Sequence, residues 1–72
     1  MNDVLRSGPA WIDDFASTLG VDAPDQQTID RLLELAGVAA HASERIAAPI
    51  ACWLIGRAGL DVVDAIQLAR GV

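Results

Sequence analysis

Seventy-two residues allow one domain, and a chain this short buries only about 60% of the surface it exposes when unfolded. A single cysteine, Cys52, excludes an internal disulfide, and one cysteine with one histidine cannot complete a structural zinc site of the usual Cys/His kind. Ten acids against five arginines and no lysine give a net charge of −5, which argues against nucleic acid and against an anionic membrane surface as partners.

Without a disulfide or metal, a domain of this size has two routes to stability: efficient helix packing or association with another molecule. The composition suits both. The apolar fraction is 53% before the six glycines are counted, and much of it is alanine, which lets helices approach closely. An apolar excess in so short a chain predicts an exposed apolar patch of the kind that marks partner surfaces.

Residues 1–8 show no clear period and read as a flexible N-terminal segment preceding a single helical domain over 9–72. Neither a secretory leader nor a membrane span is legible: the longest apolar run, Ile46 to Gly56, is interrupted by Pro49 and falls short of the roughly 20 residues a bilayer requires. A cytoplasmic location is the default expectation, consistent with one unpaired cysteine.

Ser7-Gly8-Pro9 reads as a helix start, since proline is tolerated in a first turn. Trp11, Ile12, Phe15, Ala16 and Leu19 form one face and Asp13, Asp14, Ser17 and Thr18 the other. The two acids are expected in the first turn, facing the positive end of the helix dipole. Gly20 ends the helix in a left-handed conformation.

After a loop containing Asp22, Pro24 and Asp25, a second helix starts near Asp25 to Thr28. Its stripe is Ile29, Leu32, Leu33, Ala36 and Ala40, widened by Leu35 and Ala39, and it ends around Ser43 to Arg45. Pro49 marks the start of a third helix. Ile50 to Gly56 is apolar all round, so this segment reads as the core helix, shielded by its neighbours or by another molecule, with Gly59 as its cap. The last helix begins at Asp61, buries Val62, Ala65, Ile66 and Ala69, and closes at Gly71. No segment alternates with period two, so the fold class expected is all-α, a compact bundle of four short helices.

Few residues suggest chemistry. Cys52 and His41 could face each other across a helical hairpin as a thiol–imidazole pair, but a cysteine inside the most apolar helix reads better as a small buried hydrophobe. His41, Glu44 and Arg45 cluster at the end of the second helix. They read either as a recognition patch or, for His41 and Arg45, as cations stabilising a helix C-terminus. Asp13-Asp14 and the Asp22/Asp25 loop lack the glycine and distal glutamate of a calcium loop and read as solvated face and caps. Trp11 and Phe15, one turn apart, are expected in the core. Trp53 is expected there too, unless it is exposed, in which case it becomes a partner hot spot. No phosphate loop, nucleophile elbow or zinc spacing occurs.

Several stretches carry a resemblance: Trp11-Ile12-Asp13-Asp14-Phe15-Ala16, Leu19-Gly20-Val21-Asp22, Leu32-Leu33-Glu34-Leu35-Ala36, Val38-Ala39-Ala40-His41, Glu44-Arg45-Ile46-Ala47-Ala48-Pro49-Ile50 and Trp53-Leu54-Ile55-Gly56. Over roughly residues 11–70 the chain resembles a small actinobacterial helical domain of unknown function, found alone and fused to molybdenum-cofactor guanylyltransferases, which transfer GMP from GTP to molybdopterin. Ile46 stands where that family shows proline, and Trp53 where it shows phenylalanine. The resemblance supplies no catalytic residues and implies an accessory role near cofactor guanylylation.

The expected function is therefore a non-catalytic interaction module, with no catalytic or metal-ligating residues and no cofactor. Its partner would be a protein, a guanylyltransferase among the candidates, or a second copy, engaged through His41, Glu44, Arg45, Trp53 and Arg57. The alternative is a small-ligand domain in which Arg45 and Arg57 hold a nucleotide or pterin phosphate.

Overall fold

The computed structural model describes residues 7–72, which form four α-helices and no strand: α1 Gly8–Leu19, α2 Gln26–Ala42, α3 Ala47–Ala58 and α4 Val62–Arg70. The chain is an all-α bundle of short helices, as the sequence predicts. Most of the expected N-terminal segment lies outside the described residues, while Ser7 and Gly8 belong to the cap and first turn of α1.

Local chemistry explains where each helix begins and ends. Ser7 Oγ accepts the Ala10 N–H at 3.2 Å, satisfying one of the donors a helix start leaves without a partner. Pro9 sits in the first turn, where no backbone N–H is needed. At the other end Gly20 adopts φ 77°, and the Gly20 and Val21 N–H groups bond back to the Ser17 and Ala16 carbonyls at 3.1 and 3.0 Å. This is the six-to-one and five-to-two pattern of a Schellman cap. The α3 terminus repeats it: Gly59 at φ 68°, with Gly59 and Leu60 bonding to Gly56 and Ile55. Asp25 caps α2 through the Thr28 N–H at 2.8 Å. Asp61 caps α4 through the Val63 and Asp64 N–H groups at 3.0 and 3.4 Å.

Two local expectations shift. Because α1 starts at Gly8, Asp13 and Asp14 fall in its second turn, beyond the reach of the dipole's positive end, and its first turn holds no acid. Helix α3 starts at Ala47, two residues before Pro49. The proline is tolerated because it is still within the first turn, whose N–H groups have no partner inside the helix. No side chain caps α3. The Ala47 and Ala48 N–H groups instead bond to the Glu44 and Arg45 carbonyls at 2.9 and 3.2 Å, so a tight backbone turn carries the chain round the corner from α2.

Packing is centred on α2, against which both α3 and α4 lie. Leu35, only 1% exposed, meets Ala65 and Ile66 of α4, and Cys52, Ile55, Val62 and Ala69 close around that cluster half-buried. Glu34 ties the same two helices at the surface, accepting from Arg70 at 2.8 Å and from Arg31, one turn earlier, at 3.3 Å. Such exposed pairs contribute at most about 1 kcal/mol, so the apolar seam decides the packing.

The expectation that α3 is the core helix is overturned, since none of its residues is buried. Its inward side holds Ala47, Ala48, Ala51, Cys52 and Ile55, all only half-buried, while Ile50, Trp53 and Leu54 face solvent. Trp11 and Phe15 are likewise not in the core. They are 49% and 48% exposed, and they stack on each other with ring centroids 5.0 Å apart. Helix α1 makes no extensive seam with any other helix: Ala16 is buried and Ile12 half-buried, but Trp11, Phe15 and Leu19 stay exposed.

Two outcomes follow from this packing. Leu35→Ala should cost about 2–5 kcal/mol, the range for emptying a buried leucine site, which is enough to unfold much of so small a domain. Trp53→Ala in the same urea titration should change stability by well under half as much, because little of its ring is covered in the chain. The second outcome concerns pH. The Thr28 hydroxyl, and after it the Thr28 backbone N–H, hold the Asp25 carboxyl below its ordinary value. A depressed carboxylate contributes stability above its unfolded pKa and loses it as pH falls through the folded one. The stability difference between wild type and Asp25→Asn, which keeps a capping acceptor, should therefore stay level from neutrality down to about pH 5 and change below about pH 4.

Candidate functional site

The five residues singled out in the sequence are all exposed, and the backbone places them in two groups. His41 lies in the last turn of α2, and Glu44 and Arg45 occupy the short turn that leads into α3. Trp53 and Arg57 sit one turn apart further along α3. Helical spacing puts Ile46, Ile50, Trp53 and Arg57 on one side of that helix, so the aromatic and the cation share a stripe with two aliphatic residues. Trp53 is 62% exposed, and Ile46, Ile50 and Leu54 are exposed as well. This is a run of large apolar side chains in water along three turns, bounded by a cation at one end and by the Glu44–Arg45 turn at the other.

The electrostatics of the site are those of open surface. Among the described residues neither Arg45 nor Arg57 has a carboxylate partner, unlike Arg31 and Arg70, which share Glu34. His41 stands where a cation would favour the negative end of α2, and no side chain fixes either of its ring nitrogens. The α2 terminus itself is closed by Ser43, whose N–H and hydroxyl both donate to the Ala39 carbonyl at 3.2 and 3.3 Å.

Next to the stripe lies a feature that sequence reasoning missed. The C-terminal end of α2, the inner edge of α3 and the end of α4 enclose an open groove of about 450 Å³. Its floor is alanine, from Ala39 and Ala42 through Ala47 and Ala51 to Ala69, and Ile50, Leu54 and Val72 form its walls. Ser43 supplies its only hydroxyl. The signal was present in the sequence as alanines at 39, 42, 47 and 51 on either side of a helix break, but alanine reads equally well as close packing.

Cys52 is half-buried against the core cluster, and among the described residues no hydrogen bond joins its Sγ to His41 or to any other side chain. Among the described residues no three His, Cys, Asp or Glu side chains converge as a metal site would require, and no buried side-chain polar atom lacks a partner. Among the same residues no helix is long and apolar enough to cross a membrane. What the arrangement offers physically is contact area: exposed aromatic and aliphatic surface rimmed by two unpaired guanidinium groups.

Comparison with known proteins is narrow. No curated protein matches the sequence, and no solved structure matches the fold. One family profile matches residues 4–71, nearly the whole chain. The chain thus belongs to the family described as a domain of unknown function, DUF6457.

Proposed function

We propose that this domain is a non-catalytic docking module that binds a larger protein through the outer face of α3. The observation that carries this reading is the exposure of Trp53 at 62%, with Ile50 and Leu54 beside it, on a helix that buries none of its residues. A helix apolar on every side but covered on only one leaves surface that water solvates poorly. Tryptophan and arginine are the residue types that most often dominate binding energy at interfaces, and Trp53 and Arg57 stand one turn apart on this face. His41, Glu44 and Arg45 supply a polar rim at its near end.

The resemblance to domains fused to molybdenum-cofactor guanylyltransferases suggests such an enzyme as the partner. The role would be accessory, holding or recruiting the enzyme while the transfer of GMP proceeds on the enzyme's own residues. The net charge of −5 favours a partner with a basic surface. The alternative, a binder of nucleotide or pterin phosphates, is the weaker proposal, because the groove is lined mostly by carbon and neither Arg45 nor Arg57 is among its lining residues.

Calorimetric titration of the domain into a molybdenum-cofactor guanylyltransferase should give saturable binding, weakened about tenfold or more by Trp53→Ala and less by Arg57→Ala. In a Trp11→Phe background Trp53 is the sole indole of the domain. Its emission should be readily quenched by acrylamide in the free domain and protected in the complex with an enzyme labelled or chosen to be spectrally silent. Absence of binding, or binding indifferent to Trp53→Ala, would remove the α3 face from consideration.

A further inference from the structure

We infer that a second copy of this chain occupies the alanine-floored groove, and that the part it inserts is α1. Each protomer would lend its Trp11–Phe15–Leu19 stripe to the groove of the other, giving a two-fold dimer with two identical seats.

Four observations converge on this occupant. The first is shape. The stripe presents two stacked aromatic rings and an exposed leucine on a helix without an extensive seam of its own. The groove presents Ala39, Ala42, Ala47 and Ala51 between walls of Ile50 and Leu54. Large side chains on one helix facing small ones on another is the condition under which helix surfaces interdigitate. The groove's volume of about 450 Å³ is enough to receive ring-sized groups.

The second is pre-organisation. The Trp11 and Phe15 rings already lie 5.0 Å apart at 30° to one another, so little side-chain freedom remains to be lost on insertion.

The third is charge. From Ser7 to Gln27 Asp13, Asp22 and Asp25 stand in a stretch that carries no cation, whereas Arg45 lies in the α2–α3 turn between the groove residues Ser43 and Ala47. The arm is therefore electrostatically complementary to the rim of the groove, and a two-fold axis brings its acids to Arg45 of the other protomer.

The fourth is area. The chain exposes 5720 Å². A compact protein of 7.6 kDa exposes about 4,300 Å². Setting aside the most that residues 1–6 can contribute, about 1,100 Å², leaves roughly 4,600 Å² for residues 7–72, against about 4,000 Å² for a compact chain of that smaller mass, an excess of roughly 600 Å². Doubled in a dimer, that excess is about 1,200 Å², where specific interfaces begin.

This inference does not rest on the docking proposal: Ile50 and Leu54 border both surfaces, but Trp53 and Arg57 lie outside the groove and are not needed to fill it. The two can therefore fail separately.

The test is sedimentation equilibrium on the full chain at micromolar to hundred-micromolar concentrations. Wild type should approach twice 7.6 kDa. A stripe variant, Trp11→Asp with Phe15→Asp, and a groove variant, Ala51→Trp, should each remain monomeric with unchanged helicity. Because the stripe residues are exposed and Ala51 faces the open groove, both variants can be checked for folding by circular dichroism. Mixing the two variants one to one should restore a weaker heterodimer, since the stripe variant keeps an intact groove and the groove variant an intact arm. A monomeric wild type overturns the inference, as does a dimer that survives the stripe substitutions or a mixture of folded variants that stays monomeric. If the wild-type dimer forms but the guanylyltransferase titration is silent, only the docking proposal falls.

Discussion

The fold depends on one seam, where Leu35 of α2 meets Ala65 and Ile66 of α4. Among the described residues four are buried, Leu35 and Ile66 with Ala16 and Ala65, and of these Leu35 alone is fully buried. A core this small leaves the domain within the few kcal/mol that separate folded from unfolded chains of this length. Everything else is arranged around protecting it. Cys52 and Ile55 bring α3 onto one flank, the Glu34–Arg70 pair clips the outer edge, and caps at Asp25, Gly59 and Asp61 fix where the three packed helices begin and end.

Caps are local, and this is why the helix boundaries were legible. Ser7, Gly20, Asp25, Gly59 and Asp61 act through bonds spanning at most five residues, so the residue types alone announced their roles, and the structure repeats them nearly residue for residue. The α2–α3 corner was less legible because it has no glycine and no side-chain cap for α3. A backbone turn over Glu44 to Ala48 does that work, and nothing in its composition distinguishes it from continuing helix.

Burial is a different matter, because it depends on what lies across the helix and not on the helix itself. The apolar wheel from Ile50 to Gly56 signals that α3 needs cover on all sides, but it does not say whether the cover comes from the same chain. The structure supplies cover only on the side of Cys52 and Ile55. The same holds for Trp11 and Phe15, whose spacing is correct for a core face but whose helix is joined to the rest by a loop and not by a packed seam. Of the candidate site, the Trp53–Arg57 stripe was readable as residue types. The neighbouring groove was not, since it exists only where the ends of three helices come together.

These two mismatches are linked. A chain with so small a core cannot leave Trp11, Phe15, Ile50, Trp53 and Leu54 in water without consequence, for each exposed aromatic or aliphatic side chain that finds cover contributes about 1.5–3 kcal/mol at full burial. Even partial cover of the α1 stripe in a second protomer adds to the few kcal/mol by which the isolated domain is folded. Association and folding would then be coupled, with apparent stability rising with concentration in the way linkage requires. The α3 stripe outside that contact would remain the surface for a different protein. A small domain with a single cysteine, and so no internal disulfide to hold it together, can thus use one apolar face to support its own fold and keep Trp53 and Arg57 for recognition.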